Sequence, residues 1–194
     1  TGADVVAPTY NTTPAVDAVA LTTITVDATA SDETASTVNH YAVAVPDGAT
    51  APTPAEVVAG TASGGGAASA SGNDLAVANA AEGSIVLSGL TGGTNYDIYY
   101  VISDGTNNST ATLLNQATAD AVAPTYSVVP AVDSFDDVSI TVDATGADET
   151  VANVNHYAVA VSNGATVPSS AEVVLGQAAG GGAPLASGND LSVA

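Results

Sequence analysis

No lysine and no arginine occur anywhere in the 194 residues, against 20 Asp plus Glu, two His and a formal net charge of −20. No carboxylate can therefore meet a permanently cationic side chain, and each must be neutralised by water, backbone N–H groups or ions from outside. Whole classes of function fall away with those two residue types. Nucleic-acid binding draws its affinity from Lys and Arg on phosphates, and this charge would repel the polymer. Anionic membrane surfaces are excluded on the same ground. A Schiff-base lysine, a P-loop lysine, an arginine clamp and a Lys–Asn isopeptide cross-link are all impossible. Cysteine is absent as well, so there is no disulfide, thiolate metal site or Cys nucleophile, although this leaves the compartment open. No run reaches the roughly 18 uninterrupted apolar residues of a membrane-spanning helix. The start, TGADVVAPTY, has neither Met nor a basic n-region, and the expectation is a mature or internal segment of a longer protein.

What is present is a repeat. Ala7-Pro8-Thr9-Tyr10 returns as Ala123-Pro124-Thr125-Tyr126, Asn39-His40-Tyr41 as Asn155-His156-Tyr157, and Asn73-Asp74-Leu75 as Asn189-Asp190-Leu191, each at an offset of 116. Sliding residues 1–78 onto 117–194 without a gap gives 50 identities in 78 positions. With 46% apolar residues the chain can build one or two cores. The expected organisation is a complete repeat over residues 1–118 and a second copy over 119–194, which has no counterpart of residues 79–116. A chain ending at the position equivalent to Ala78 reads as a window on a longer polymer of domains.

The periodicity within the repeat is that of strands. Ile24, Val26 and Ala28 alternate with polar Thr25 and Asp27, the mark of a half-buried strand. Residues 38–45 (VNHYAVAV), 84–90 (SIVLSGL), 96–103 (YDIYYVIS) and 110–117 continue the series, separated by the turn signals SDET, PDGA, GLTGGTN and DGTNN. One helical turn interrupts them over residues 54–59. Thr53, Pro54 and Glu56 form a capping box, with Gly60 placed to end the turn, and the second copy keeps that chemistry with Ser169, Glu172 and Gly176.

Leu90, Gly93, Thr94 and Tyr96, followed by alternating Ile98, Tyr100 and Ile102, resemble the L-x-P-G-T-x-Y-x-V-x-V run of fibronectin type III domains. The preceding pieces resemble the longer fibronectin-like repeats of large secreted bacterial surface proteins. Val26 and Val142 stand where that family has a core Trp, and an immunoglobulin-like sandwich of another superfamily has the same strand pattern. The resemblance implies an all-β fold: tandem seven-stranded Greek-key β-sandwiches with the helical turn in a crossover, the second lacking its last three strands. It also implies that Tyr96 forms the corner between strands E and F.

A sandwich of that topology gathers the start of strand A, the B–C loop and the F–G loop at one pole. Asp4, Asp32, Glu33, Asp104, Asn107 and Asn108 would meet there in the first copy, and Asp120, Asp148 and Glu149 in the second. Oxygen ligands with no competing lysine suit a hard cation, and Ca²⁺ is the expected ion. His40 and His156 lie mid-strand, with Asn39 and Tyr41 on the opposite face, so a structural role is expected rather than a metal or a catalytic triad. The glycine run over residues 63–67, repeated over 179–183, has no following helix or cation for a phosphate cradle and reads as a flexible loop. Asn11-Thr12-Thr13 and Asn107-Asn108-Ser109 match the N-glycosylation sequon.

With no catalytic constellation, the expectation is no enzyme but a spacer or filament-forming segment of an extracellular tandem-repeat adhesin, stalk or sheath, partnered by neighbouring repeats of the same polymer. The alternatives are a carbohydrate- or protein-binding module using the B–C and F–G loops, or an accessory domain of a secreted glycan hydrolase.

Overall fold

The computed structural model describes residues 4–148 and 150–193. Strands dominate, with eleven strands and two five-residue helices among the described residues. The chain divides into two units, Thr1–Ala121 and Val122–Ala194.

The first unit contains β1 (Thr9–Val19), β2 (Thr23–Ser31), β3 (Thr37–Pro46), helix α1 (Pro54–Val58), β4 (Ala70–Ala78), β5 (Glu82–Ser88), β6 (Asn95–Ser103) and β7 (Thr112–Ala117). They form two antiparallel sheets, β1-β2-β5 and β4-β3-β6-β7. Alternation decides what goes between them. Ile24, Val26, Ala28 and Ala30 of β2 and Ile85 and Leu87 of β5 meet Val38, Ala42 and Ala44 of β3 and Tyr96, Ile98, Tyr100 and Ile102 of β6 in one core.

Strand β6 is buried on both faces because α1 covers the far side of its sheet. Val57 of α1 packs there against Val43, Val45, Tyr99 and Val101 in a second, smaller cluster. Asp97, also buried in β6, is stabilised by a hydrogen bond from the Gly48 amide (3.0 Å) and one from the Asn115 side chain (2.7 Å).

The segment SGNDLAVA looks like a turn but is the edge strand β4. Its polar side chains alternate outward, and a bulge opposite Val38 and His40 takes up its irregularity. Ala76 adopts a left-handed backbone in the bulge (φ 56°), and its amide donates to Asn39 Oδ1 at 2.9 Å. Strand β1 carries Pro14 and three register shifts, features that an edge strand tolerates.

The second unit contains β8 (Thr125–Phe135), β9 (Ile140–Ala147), β10 (Val154–Ala160), helix α2 (Ser170–Val174) and β11 (Ala186–Val193). Its β8-β9 and β10-β11 pairs keep the first unit's register. Val132 opposes Val142 as Val16 opposes Val26, and His156 opposes Asp190 as His40 opposes Asp74. The β11 bulge returns too, with Ser192 at φ 60° and its amide 2.8 Å from Asn155 Oδ1. Burial returns only at Val154 among the described residues. Ile140 is 63% and Val142 46% exposed where Ile24 and Val26 are fully buried, because β9 pairs only with β8 among the described residues.

Candidate cation site

The β2–β3 loop is built around Asp32. Its Oδ1 accepts the Thr34 amide (2.9 Å) and the Ala35 amide (2.7 Å), the side-chain-to-backbone turn that Asp favours. Asn79 clamps the loop from 47 residues away. Its Oδ1 accepts the Asp32 amide (3.1 Å), and its Nδ2 donates to the carbonyls of Asp32 (3.0 Å) and Ala35 (2.9 Å). The result is an Asp that is 8% exposed, with its carboxyl held below the ordinary value by the Ala35 and Thr34 amides, against the opposing effects of burial and the Asp104 charge. Its second oxygen, Oδ2, is shut off from solvent and has no hydrogen-bond partner.

Asp4 comes to this loop from the segment ahead of β1. Its Oδ1 accepts the Val6 amide at 3.1 Å and its Oδ2 accepts the Thr34 hydroxyl. Glu33 stands exposed beside them. One carboxylate oxygen each from Asp4, Asp32 and Glu33 lies within 4.8 Å of the other two.

The β6–β7 loop holds a hydrogen-bonded turn of its own. Asp104 Oδ1 accepts the Thr106 and Asn107 amides (both 2.6 Å), and Oδ2 accepts the Asn107 side chain (2.9 Å). Burial pushes the Asp104 carboxyl up, but the bonds from Asn107 and Thr106 outweigh it and hold the group below its ordinary value. Asn107 is thus committed to Asp104, Asn108 is exposed, and the acids that converge are Asp4, Asp32 and Glu33.

In the second copy Asp148 repeats the Asp32 turn, with Oδ1 accepting the Thr150 amide (2.8 Å), the Thr150 hydroxyl (2.6 Å) and the Val151 amide (3.1 Å). Asp120 falls in the first unit and Asp148 in the second, and Glu149 lies outside the described residues.

The remaining singled-out residues are interior or structural. His40 is fully buried, with Nδ1 2.7 Å from the Tyr100 hydroxyl. Tyr96 is buried, and its hydroxyl oxygen accepts the Thr91 amide at 3.0 Å. Thr53 Oγ1 accepts the Glu56 amide (3.3 Å), while Glu56 Oε2 accepts the Thr53 amide (2.7 Å), and Ser169 with Glu172 makes the same reciprocal pair.

The glycine run, expected to be a flexible loop, is a fixed turn. Glu56 Oε1 accepts the amides of Gly64 (2.6 Å) and Gly65 (3.2 Å), and Glu172 does the same for Gly180 and Gly181. Both glycines of each pair have φ between 74° and 77°, which aims successive N–H groups at one carboxylate oxygen.

Sequence reasoning missed Asn79 and the bulge-fixing role of Asn39 and Asn155. Asn79 lies beyond the overlap of the two copies, so the repeat gives no second instance of it. The Asn39 and Asn155 pair could have been found from its recurrence. Comparison with protein-family models and with curated proteins finds no match for this chain.

Proposed function

We propose that the chain is a structural spacer from an extracellular tandem-repeat protein, built of Greek-key β-sandwiches of the fibronectin type III kind and able to assemble with neighbouring repeats into a stalk or filament. The sheet orders β1-β2-β5 and β4-β3-β6-β7 support that topology, as does the bond from the Thr91 amide to the Tyr96 hydroxyl oxygen at the corner before β6.

The observation that carries the reading is what recurs at the 116-residue offset. Strand register, the left-handed bulge, the reciprocal helix cap, its grip on the glycine turn and the Asx turn all return. Thr53 is replaced by Ser169 and Ala76 by Ser192, and the bonds they take part in are kept. The repeat thus preserves mechanical scaffold parts rather than an arrangement of reactive groups.

Pulling on a concatemer of residues 1–116 tests this. A spacer gives a regular series of unfolding events, each releasing about 400 Å of contour, the span of 116 extended residues, less the folded length of one unit. Irregular increments, or a featureless extension at low force, would refute it.

A further inference from the structure

We propose that Asp4, Asp32 and Glu33 of the first unit hold one Ca²⁺ ion, and that this ion fastens the segment ahead of β1 to the β2–β3 loop. The first ground is geometric. Ligands at the 2.3–2.6 Å typical of Ca²⁺ can stand no more than about 5 Å apart across the ion, and the three carboxylate oxygens lie within 4.8 Å of one another. Mg²⁺ is held at about 2.0–2.1 Å and dehydrates reluctantly, so it suits a cluster of protein carboxylates less well.

The second ground is independent of the clustering. Asp32 is 8% exposed, its Oδ1 is filled by the Thr34 and Ala35 amides, and its Oδ2 is buried without a partner. A buried carboxylate oxygen left bare is costly, and no lysine or arginine exists in the chain to meet it. An external cation satisfies that oxygen and offsets the repulsion among three acids. The donors are all hard oxygens, with no imidazole or thiolate among them, which favours Ca²⁺ over zinc or copper.

The consequence is local stiffness. Val5 and Val6 are 81% and 50% exposed. Two hydrogen bonds of Asp4, to the Val6 amide and the Thr34 hydroxyl, shape this approach to β1. An ion shared with Asp32 and Glu33 adds a link from residue 4 to a loop anchored by Asn79.

The test is a Ca²⁺ titration of the full chain followed by the amide resonances of Thr34 and Ala35, whose N–H groups bond to Asp32. They should shift saturably with a dissociation constant of about 10⁻⁴ to 10⁻³ M, the range of extracellular modules. Mg²⁺ should shift them less at equal concentration. Glu33 is exposed, so Glu33→Gln leaves the fold intact, as the rest of the spectrum verifies, and should weaken binding about tenfold by removing one ligand charge. Shifts reproduced by NaCl at matched ionic strength would overturn the proposal, as would a midpoint unchanged in both Glu33→Gln and Asp4→Asn. Either result would leave the spacer reading intact, since force extension measures that separately.

Discussion

At the residue scale the core holds a polar chain through His40 and Tyr100. The hydrogen placement that satisfies every donor has His40 Nδ1–H donating to Tyr100 (2.7 Å) and the Tyr100 hydroxyl donating to the Gly83 carbonyl (3.4 Å). His40 Nε2 is then a bare lone pair, buried without a partner. Gly83 is the residue the contact permits, since a Cβ there would stand 2.6 Å from the imidazole. Protonating Nε2 would create a buried N–H with no acceptor, so burial holds the imidazole below its ordinary value, with Asp74 pulling weakly the other way. The unfolded chain therefore binds a proton at His40 before the folded one does. Stability should be full above about pH 6.5 and fall on acidification, by up to about 1.4 kcal/mol per pH unit. Asp32 and Asp104, with lowered values, act only in more acid solution, so the window from pH 6.5 to 5 belongs to the histidine. Urea unfolding at pH 7 and 5.5 should show the loss for the first unit, and His40→Gln should abolish it; an unchanged slope in the variant would refute this account. Tyr96→Phe removes the acceptor of the Thr91 amide while keeping the ring. It should cost about 1–3 kcal/mol, and a denaturant midpoint equal to wild type would show that the corner bond contributes nothing.

Among elements, legibility followed how local the determining forces are. Strands β2, β3 and β6 and helix α1 declare themselves through alternation and capping, which operate over a few residues. Strand β4 does not, because Ser71, Gly72, Asn73 and Asp74 are turn formers that extend only when β3 supplies a ladder. The acidic cluster divides the same way. Asp4 comes to Asp32 and Glu33 across some thirty residues of chain, whereas Asp104 and Asn107 bond to each other through a local preference that no long-range reading weighs. Glu56 shows what the capping signature left hidden: one oxygen closes the cap and the other fixes a turn eight residues on. Amides of Thr53, Gly64 and Gly65 hold its carboxyl below the ordinary value. Its contribution is therefore present above about pH 4.3 and lost as pH falls through the lower folded value. Amide exchange at Gly64 and Gly65 should accelerate in Glu56→Ala at pH 7 while Tyr99 and Val101 in β6 remain protected. Equal acceleration in β6 would mean that the glycine turn is integral to the sandwich.

For the whole molecule, the repeat allows each position to be compared with itself in two surroundings. Ile24 and Val26 are fully buried between sheets, yet Ile140 and Val142, with the same strand neighbours but for Ser139 in place of Thr23 and the same register to the preceding strand, are 63% and 46% exposed. The difference lies in β5 and β6, which cover β2 and β3 in the first unit and have no counterpart among the strands of the second. Burying an Ile or Val side chain contributes about 1.5–3 kcal/mol. Two two-stranded ladders that bury Val154 alone among the described residues fall short of what ordering their backbone costs. A monomeric fragment of residues 117–194 should accordingly show no cooperative thermal transition. Extending it beyond Ala194 with a copy of residues 79–116 should restore one, with the amides of Ile140 and Val142 becoming the slowest to exchange. A sharp two-state melt of the unextended fragment at micromolar concentration, with sedimentation confirming a monomer, would show that β8–β11 form a core of their own and that the sandwich is not the unit of stability.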